Sequence, residues 1–488
     1  MTRQLAEVQG RLRIGDQWQP GASGEVRPVI NPATGSPFAE VAEATPGDAH
    51  DALAAAATAQ PAWGRLTAPE RAAHLLAIAE RIRAHEARLA ELVVMEQGKP
   101  IGLARGEVDF AARFFEYYAS FARAVTGEIV ASENREQEVW IRTTPHGVVV
   151  GIIAWNFPAA LFARKVAPAI MAGNTIVMKP HEDTPLTALA LAQLIEDAGV
   201  PGGVVNVVCG AGPIVGDALV RDPITRMVSV TGSVRAGKAV ARTASDDLTV
   251  ISLELGGKAP FLVLEDADVD SAVAAAVAAR FSNCGQVCTS NERTYVHRKV
   301  VGRFVDAYVD RARKLRMGDP MDPTTELGPK VNQVELEKVE RMVAGAAEAG
   351  AKVALGGRRP SGKRFVEGFW YEPTVLTDVR HDMDIMREEV FGPVAAIMPF
   401  DDIDEAIALA NDTAYGLSAY IYSNDLRKTM RLVDELRCGE IYVNNVGPEQ
   451  VQGFHSGTGL SGYGGDDGEH GLERYMRRKT VYLSYGDA

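Results

Sequence analysis

The sequence predicts an α/β protein, a doubly wound fold in which helices flank a mostly parallel sheet. Short apolar segments alternate with helical patterns, beginning with Gly147-Val-Val-Val-Gly-Ile-Ile-Ala-Trp155 and a helix over 160–172. Strands of a parallel sheet are buried on both faces and therefore form near-continuous apolar runs. With 488 residues the chain also exceeds one ordinary hydrophobic core, so two or three domains are expected.

The composition indicates a globular protein and limits its partners. Hydrophobic residues make up 46% of the chain and charged residues 24%, which is ordinary for globular proteins. The net charge of −13 argues against nucleic acid, whose binders carry basic faces, and offers no adhesion to anionic lipid. The longest apolar run, 148–155, is far shorter than the roughly 20 residues that span a bilayer. We therefore expect neither nucleic acid nor a membrane among its partners.

The N-terminus and the cysteine content bear on location. Residues 1–7 lack the apolar core of a signal peptide. The four cysteines, Cys209, Cys284, Cys288 and Cys438, are too few for a disulfide framework in a chain of this size. A reducing cytoplasm is therefore the expected location.

The first α/β unit follows two other stretches of chain. Residues 10–45 are predicted to form short strands and turns, and 46–124 form an alanine-rich helical pattern. The unit has predicted strands at 147–155, 175–179, 204–209, 226–230 and 249–253, and predicted helices at 160–172, 184–198, 213–220 and between the last two strands.

A second α/β unit is predicted from about Gly256 onward. Its predicted strands are 293–297, 394–398, 417–422 and 441–444, and its predicted helices are 300–315 and 427–436. Two strand-like segments, 137–143 and 480–484, stand apart from both units. The sequence shows no internal repeat and no obvious flexible linker, so the pattern alone gives no domain boundaries.

Two segments carry a possible nucleophile and base. Segment 281–288, Phe-Ser-Asn-Cys-Gly-Gln-Val-Cys, places Cys288 just beyond a glycine turn, and segment 253–258, Leu-Glu-Leu-Gly-Gly-Lys, ends an apolar strand with Glu254. A nucleophilic thiol needs a partner that later activates water, and a carboxylate suits that task. The alternatives are a small buried apolar cysteine and a strand end that faces solvent. Cys284 is interpreted as a bystander rather than a resolving thiol.

Asn156 is a candidate oxyanion donor. It lies in Trp155-Asn-Phe-Pro158, after the first strand of the sheet. An aldehyde carbonyl becomes an oxyanion when a thiolate adds, and a neutral amide donor suits that charge. The alternative is an asparagine that only shapes the turn.

Several motifs suit a dinucleotide. Gly210-Ala-Gly212-Pro-Ile-Val-Gly216 and Thr231-Gly-Ser233-Val-Arg-Ala-Gly237 each follow a strand and open a helix, although neither has the usual Rossmann spacing. Lys179 and Glu182 stand at the carboxyl end of a strand, where open α/β sheets bind ligands. Glu389 and Phe391 suit a ribose and a nicotinamide face. The alternatives are plain turns and surface charges.

In this order, these motifs resemble the aldehyde dehydrogenase superfamily, from Asn31-Pro-Ala-Thr-Gly35 to the tail. The resemblance implies a Rossmann-like NAD-binding domain (1–124 and 144–255), an α/β catalytic domain (256–453) and a small β oligomerisation flap (125–143 and 474–488). It implies dimers or tetramers, with a homotetramer expected, and no metal. It also implies Cys288 as the nucleophile, Glu254 as the base, and Asn156 as the oxyanion donor together with the Cys288 backbone N–H.

The resemblance also implies a set of residues that bind NAD. Lys179 and Glu182 would hold the adenosine ribose, Ser233 the pyrophosphate, and Glu389 the nicotinamide ribose. The implied NAD-binding residues are Trp155, Lys179, Glu182, Gly212, Ser233, Glu389 and Phe391. His181 departs from the small residue that is common at its position in the family.

Within the superfamily the chain is most similar to the enzymes that oxidise lactaldehyde and glycolaldehyde. Glu449 and His455 match a glutamate and a histidine that bind the substrate hydroxyl there, and Arg164 is expected to face the same tunnel. Thr289 stands where those enzymes have asparagine. The resemblance thus implies NAD-dependent oxidation of a short hydroxyaldehyde, with succinic semialdehyde second because Arg164 could pair with its carboxylate. Alternatively, Arg164 pairs with Glu449 while His455 packs beside Phe454.

Two other classes of function remain as alternatives. A CoA-acylating aldehyde dehydrogenase passes the acyl group to a thiol, so it needs no base such as Glu254 to activate water. A non-catalytic protein of the same fold would have no need to keep Cys288, Glu254 and Asn156 together.

Overall fold

The computed structural model describes residues 10–447 and 449–486. The parts of the predicted domains at 1–9, 448 and 487–488 lie outside the described residues. The described chain forms an eight-stranded sheet, a seven-stranded sheet, a three-stranded ribbon and a separate hairpin. The predicted α/β class is confirmed.

The strands are, in chain order, β1 (Leu12–Ile14), β2 (Gln17–Gln19), β3 (Val26–Asn31), β4 (Ser36–Ala42), β5 (Glu128–Val130), β6 (Gln137–Pro145), β7 (Val148–Ile152), β8 (Thr175–Lys179), β9 (Val205–Val207), β10 (Thr225–Thr231), β11 (Val250–Glu254), β12 (Ala259–Val263), β13 (Asn291–His297), β14 (Lys352–Leu355), β15 (Thr374–Thr377), β16 (Val394–Phe400), β17 (Ser418–Tyr422), β18 (Glu440–Val443), β19 (Gly462–Tyr463) and β20 (Met476–Ser484).

The α-helices are, in chain order, α1 (Pro46–Arg65), α2 (Ala68–Ala84), α3 (Glu86–Gln97), α4 (Ile101–Ala119), α5 (Pro158–Met171), α6 (Leu186–Asp197), α7 (Asp217–Arg221), α8 (Val234–Ala244), α9 (Val269–Phe281), α10 (Val301–Arg313), α11 (Gln333–Glu348), α12 (Asp384–Arg387), α13 (Ile403–Asn411), α14 (Leu426–Glu435) and α15 (Gly468–Arg474). No helix of the described chain combines the length and the apolar character needed to cross a membrane.

The first sheet has the strand order β19-β11-β10-β7-β8-β9-β1-β2. Strands β11, β10, β7, β8 and β9 run parallel, and antiparallel strands close both edges. Every residue of α5 is buried, because this helix lies beneath the long helix α4 and close to the sheet. The charged side chains of α5 therefore need partners inside the protein.

The second sheet has the order β14-β15-β16-β13-β12-β17-β18, with only β14 antiparallel to its neighbour. Alternate residues of its central strands join two different apolar clusters: Leu262 and Tyr295 belong to one, Val263 and Val296 to the other. Since successive strand residues point to opposite faces, the sheet is covered on both sides. The chain passes from the first sheet to the second between Glu254 and Ala259.

The two segments that stood apart in the sequence pair with each other. In the ribbon β20-β6-β5, Trp140 lies opposite Val481 in antiparallel register. Both long strands extend further than predicted: β6 continues to Pro145 and β20 begins at Met476. Ile129 and Tyr482 are among its exposed apolar side chains. Whether this ribbon joins copies of the chain stays a prediction.

Other predicted boundaries need correction. The predicted strand 204–209 is shortened to β9, and the predicted helix 213–220 is a π-helical turn, Gly212–Gly216, followed by α7. The predicted helix 184–198 begins at Leu186, where the buried Glu96 carboxylate accepts the N–H groups of Leu186 and Thr187. That contact caps the helix from a distant segment, so local sequence could not show it.

Candidate active site

Cys288 follows a turn that few sequences could adopt. After α9 the backbone enters the left-handed region at three consecutive residues: Asn283 (φ +48°), Cys284 (φ +58°) and Gly285 (φ +71°). This region is unfavourable for side chains other than glycine. A Cβ at Gly285 would also collide with the carbonyl oxygen of Gly392. The turn directs the chain so that Cys288 lies at the junction of the two sheets, partly buried.

Side-chain amides hold this turn in place. Gln286 donates from Nε2 to the Asn283 carbonyl (2.9 Å), and its Oε1 accepts the Val331 N–H (3.0 Å). Asn283 Nδ2 donates to the backbone oxygen of Asn156 at 3.0 Å. All of these amide groups are buried, where a satisfied hydrogen bond is costly to break. The segment ahead of Cys288 is therefore fixed against the segment that carries Asn156.

The side chain of Asn156 also faces the turn. Its Nδ2 donates to the Gln286 carbonyl at 3.1 Å. Lys99, itself paired with the buried Glu107, donates to the Asn156 carbonyl at 2.9 Å. The amide has a second N–H, so Asn156 is held beside the cysteine loop with a further donor.

The glycine pair after Glu254 is explained by close approach. A Cβ at Gly257 would collide with the carbonyl oxygen of Cys288, and one at Gly256 would collide with the Glu389 carboxylate. The Gly257 N–H donates to Glu389 Oε1 at 2.8 Å. The segment that follows the strand of Glu254 therefore passes directly against the cysteine loop.

Glu254 ends β11 and is 2% exposed. Within the described part of the chain, neither of its carboxylate oxygens has a hydrogen-bond partner. Its Oε2 lies 3.6 Å from Nε2 of His455. Burial raises the pKa of Glu254 to about 8, although the nearby His455 acts in the opposite direction. The burial of Glu254 excludes the alternative in which this residue ends its strand facing solvent.

His455 lies at the centre of the polar cluster. Its Nδ1 is 3.0 Å from Oε1 of Glu440. Burial alone would lower the pKa of His455, but the carboxylates of Glu449 and Glu440 outweigh it and raise the pKa well above its usual value. Burial raises the pKa of the Cys288 thiol and outweighs the effect of His455, which acts in the opposite direction. His455 does not pack on Phe454, whose ring contacts His470 instead.

Arg164, on α5, is saturated with carboxylates. Its Nη2 lies 2.9 Å from Glu449 Oε2 and 2.8 Å from Asp467 Oδ2. The adjacent Lys165 pairs with Asp466 at 2.6 Å. The Thr289 hydroxyl donates to Oε1 of Glu449 at 3.4 Å. The predicted trio of Arg164, Glu449 and His455 therefore comes together, with Arg164 and Glu449 paired to each other.

Three acids of this cluster were not predicted from the sequence. Glu440 begins β18, and Asp466 and Asp467 follow the Gly464-Gly465 pair. The only available signal was the adjacent Arg164-Lys165 pair within an otherwise apolar helix. Glu440, Glu449 and His455 bring ligand atoms within 4.8 Å of one another. Two of these three residues already have other partners: Arg164 pairs with Glu449, and Tyr442 donates to Glu440 at 3.1 Å. The expected absence of a metal stays a prediction.

A second group of predicted residues meets at the carboxyl end of β8. Lys179 Nζ lies 3.2 Å from Glu182 Oε1, which also accepts the Gly212 N–H at 2.5 Å. Burial acts to raise the pKa of Glu182, but the Lys179 and His181 charges lower it to about 2. Ser233 caps α8 by accepting the Ala236 N–H at 3.2 Å.

Two aromatic residues of the predicted cofactor set contact each other. The rings of Trp155 and Phe391 meet edge to face, with centroids 5.3 Å apart. Phe391 has φ +53°, and its carbonyl accepts a hydrogen bond from the buried Lys330. Burial lowers the pKa of Lys330 to about 8. Lys330 was likewise not predicted from the sequence.

The residues at the strand ends fit a dinucleotide. Parallel strands β8 and β10 end on the same edge of the sheet, which is where open α/β folds bind ligands. The Thr231 hydroxyl, at the end of β10, is buried without a partner among the described residues. The N-terminus of α8, next to it, offers backbone N–H groups to an anion.

Comparisons with known proteins agree with this geometry. The family model described as "Aldehyde dehydrogenase family" matches residues 18–481. A 3,6-anhydro-alpha-L-galactose dehydrogenase of Streptomyces coelicolor is 49% identical over 99% of this chain and 100% of that protein. Lactaldehyde dehydrogenase of Escherichia coli (strain K12) is 43% identical over 93% of this chain and 94% of that protein.

A solved structure is equally similar. A 3,6-anhydro-L-galactose dehydrogenase in complex with NAP superposes with a TM-score of 0.96 at 47% identity, covering 98% of this chain and all of that one. The match therefore spans both sheets, the ribbon and the polar cluster around Cys288. The chain belongs to the aldehyde dehydrogenase family and is an NAD(P)-dependent oxidoreductase that acts on aldehydes.

Proposed function

We propose that the chain oxidises a short hydroxyaldehyde, such as lactaldehyde or glycolaldehyde, to its carboxylate by a hydrolytic, NAD-dependent route. One observation carries the proposal: the buried Glu254 carboxylate, without a hydrogen-bond partner among the described residues, ends a strand whose continuation at Gly257 packs against the backbone of Cys288. This arrangement supplies a nucleophile and a base, together with donors for a polar substrate.

The first step forms a bond between sulfur and carbon. The Cys288 thiolate adds to the aldehyde carbon, and the carbonyl electron pair moves onto oxygen. That oxyanion accepts hydrogen bonds from the side chain of Asn156 and the backbone N–H of Cys288. The anchoring of Asn156 by Gln286 and Lys99 keeps its donor in place before the charge develops.

The next steps release a carboxylate. NAD, when bound, takes up the hydride that leaves the tetrahedral carbon, and a thioester remains on Cys288. Glu254 then accepts a proton from water as the water oxygen attacks the thioester carbonyl. The carbon–sulfur bond breaks, and Cys288 leaves as thiolate. A CoA-acylating enzyme would need no such base, and a buried Glu254 on the strand that leads to the cysteine loop supports hydrolysis.

The residues proposed to hold the cofactor are those that meet at the strand ends. Lys179 and Glu182 suit the hydroxyls of the adenosine ribose, with Gly212 close to Glu182. Ser233 and the start of α8 suit the pyrophosphate. Glu389 suits the ribose next to the nicotinamide. Trp155 and Phe391, whose rings contact each other, suit the nicotinamide ring.

NAD should be preferred over NADP. Glu182 remains ionised because its pKa is lowered to about 2, and a carboxylate repels a 2′-phosphate. Lys179 would attract a 2′-phosphate and so acts in the opposite sense. We therefore expect kcat/KM with NAD to exceed kcat/KM with NADP by about 10-fold, equivalent to about 1.4 kcal/mol, rather than strict selection. Glu182→Gln should reduce this ratio, and fluorescence titration should show tighter NADP binding.

The exposed Glu91 on α3 offers a control for that experiment. Glu91→Gln should leave both affinities unchanged. Equal kcat/KM for NAD and NADP in the unmodified protein would contradict the proposed preference.

The polar cluster favours a hydroxylated substrate. The cluster contains the Glu449 carboxylate, the His455 imidazole and the Thr289 hydroxyl, which would lose hydrogen bonds against an alkyl chain. Arg164 is already neutralised by Glu449 and Asp467, which weakens the case for succinic semialdehyde. The 49% identity to a 3,6-anhydro-alpha-L-galactose dehydrogenase favours a second candidate, a larger hydroxylated sugar aldehyde.

We expect lactaldehyde to exceed propanal in kcat/KM by about 10- to 100-fold, since an unpaired buried polar group costs about 1–3 kcal/mol. The panel should include glycolaldehyde, 3,6-anhydro-L-galactose, succinic semialdehyde and benzaldehyde, with and without CoA. His455→Ala should slow both substrates but narrow the gap between lactaldehyde and propanal. If propanal or benzaldehyde is preferred, or the gap persists in the variant, the hydroxyaldehyde proposal fails.

Assembly, domains and location also belong to the proposal. The exposed apolar side chains of the ribbon, Ile129 and Tyr482 among them, support a homo-oligomer, a dimer or a tetramer, joined at this ribbon. We propose three domains: an NAD-binding domain (1–124 and 144–255), a catalytic domain (256–453) and an oligomerisation flap (125–143 and 474–488). The proposed location is the cytoplasm. Light scattering during size-exclusion chromatography would give the mass of the assembly directly.

A further inference from the structure

Glu292 is a buried carboxylate that the proposed reaction does not use. It is the second residue of β13, and its exposed fraction is 3%. A buried charge is costly unless it is paired and hydrogen-bonded, so its partners indicate what the residue does. Two of them belong to the segment 388–393, named here the cofactor segment because it carries Glu389 and Phe391.

Both carboxylate oxygens of Glu292 accept backbone N–H groups of the cofactor segment. Oε2 accepts the N–H of Val390 and Oε1 accepts the N–H of Phe391, each at 2.7 Å. Hydrogen bonds to an ionised acceptor are shorter and stronger than neutral ones. Phe391 has φ +53°, which is unfavourable for a residue with a side chain. The two hydrogen bonds therefore stabilise a backbone conformation that the segment would not favour by itself.

Two buried cations hold Glu292 in turn. Lys258 donates to Oε2 at 2.8 Å and to the Ile385 carbonyl at 2.9 Å. Arg280 Nη1 lies 3.6 Å from Oε1. Burial acts to raise the pKa of Glu292, but Lys258 and Arg280 outweigh it and lower the pKa to about 2. Glu292 is therefore an ionised acceptor throughout the neutral pH range.

The same arginine joins the cofactor segment to the turn before Cys288. Arg280 Nη2 donates to the carbonyl oxygens of Gly285 and Gly392, both at 2.8 Å. These two glycines are in close contact, since a Cβ at Gly285 would collide with the Gly392 oxygen. The turn also has anchors of its own in the side-chain amide of Gln286. Loss of Glu292 should therefore release the cofactor segment while the turn stays in place.

We propose that Glu292 is a positioning residue, which fixes the cofactor segment so that Glu389 and Phe391 meet the nicotinamide half of the dinucleotide. The inference rests on the proposed function, in which Glu389 suits the ribose and Phe391 the ring. Glu292 acts through these two residues rather than by contact with the aldehyde or the cofactor. The alternative role is charge balance alone, in which Glu292 neutralises Lys258 and Arg280 without shaping the segment.

Two substitutions of Glu292 distinguish these roles. Glu292→Gln keeps the size of the side chain, but it has one acceptor oxygen, and its NH2 group would face N–H or ammonium donors. Glu292→Asp keeps the charge, but it is shorter by one methylene, which draws the carboxylate back from the amides of the cofactor segment. Charge balance alone predicts that Glu292→Asp behaves as the unmodified protein does. The positioning role predicts a defect in both variants.

The test measures cofactor binding and hydride loss separately in the full-length protein. Without aldehyde, fluorescence titration should show that both variants bind NAD about 10-fold more weakly. The burst of NADH should be about 10- to 100-fold slower, because a small misplacement of the reacting groups is enough for such a loss. An aldehyde deuterated at the carbonyl carbon should then give a larger isotope effect on the burst than in the unmodified protein.

Alkylation of Cys288 by iodoacetamide, measured without NAD, reports on the cysteine side of the site. Its rate should be unchanged in both variants, because Gln286 still holds the turn. If Glu292→Gln does not fold, Glu292→Asp carries the same expectations. Unchanged NAD affinity in Glu292→Asp would overturn the positioning role in favour of charge balance. Alkylation that slows as much as the burst would overturn it too, because the effect would then not be confined to the cofactor segment.

Asp266 provides a matched control. Its carboxylate also accepts a backbone N–H, that of Asn424 at 2.7 Å, and the hydroxyl of Ser423 at 3.0 Å. It follows the end of β12, whereas Lys258 precedes the start of that strand. Asp266→Asn should therefore keep the NAD affinity and the burst, and circular dichroism should show that each variant is folded. An equal loss of NAD affinity in Asp266→Asn would contradict the specific role of Glu292.

Failure of this inference differs from failure of the proposed function. If Glu389→Gln weakens NAD binding while both Glu292 variants bind NAD as the unmodified protein does, only the positioning role is lost. If Glu389→Gln also leaves NAD binding unchanged, the proposed cofactor contact is wrong. If Cys288→Ala still oxidises aldehydes, the proposed function itself fails, whatever the Glu292 variants show.

Discussion

Replacement of Cys288 by alanine is expected to abolish aldehyde oxidation while the protein still folds and binds NAD. The covalent step has no substitute once the sulfur is removed, so kcat should fall by about 10⁴-fold or more. The change removes one atom from a partly buried position, so little packing is lost. NADH formation, NAD titration and thermal unfolding would measure the three properties separately.

Cys284 provides the matched control. It is fully buried four residues earlier in the same turn, and burial raises the pKa of its thiol to about 12. It is therefore a neutral thiol at working pH, and Cys284→Ala should retain most of the activity. Near-normal turnover in Cys288→Ala, combined with loss in a folded Cys284→Ala, would transfer the nucleophile to Cys284.

The fold and the reactive residues could be predicted because their signals are local. The apolar runs of β7 and β8 directly indicated buried parallel strands. Glycines next to Cys288 and Glu254 marked places where one backbone approaches another, as the collision of a Cβ at Gly257 with Cys288 demonstrates. Such positions can be recognised from a few neighbouring residues.

The electrostatic environment could not be predicted in the same way. Arg164 was expected to face the substrate tunnel and Lys165 was given no role, yet α5 is buried on all sides and their charges are balanced by Asp467 and Asp466. Those partners lie about 300 residues away in the chain. The contact of His455 with Glu440 likewise depends on how β18 and the C-terminal segment pack, which no local pattern encodes. Strand β12 was missed as well, because its five residues follow a glycine-rich turn.

Replacement of Glu254 by glutamine is expected to allow one turnover and then slow the enzyme. Addition of the thiolate and loss of hydride do not need this carboxylate, but glutamine cannot accept a proton from water. Rapid mixing should therefore show a burst of NADH close to one per active site, followed by a steady state about 10²- to 10⁴-fold slower. Mass spectrometry of the quenched protein should detect an acyl group on the Cys288 peptide.

The raised pKa of Glu254 gives this prediction a second measurement. Because the pKa of Glu254 is raised to about 8, its carboxyl is mostly protonated below that pH and cannot act as a base. Steady-state kcat of the unmodified enzyme should therefore increase with pH and level off above about pH 8. The slow rate of Glu254→Gln should lack this dependence.

Glu96 offers a matched control, because it is a fully buried glutamate that caps α6, and burial also raises its pKa to about 8. Glu96→Gln should show no burst and should keep the normal pH profile. If the burst is absent from Glu254→Gln and no acyl group appears on Cys288, the carboxylate serves an earlier step than hydrolysis, and the proposed role of Glu254 is wrong.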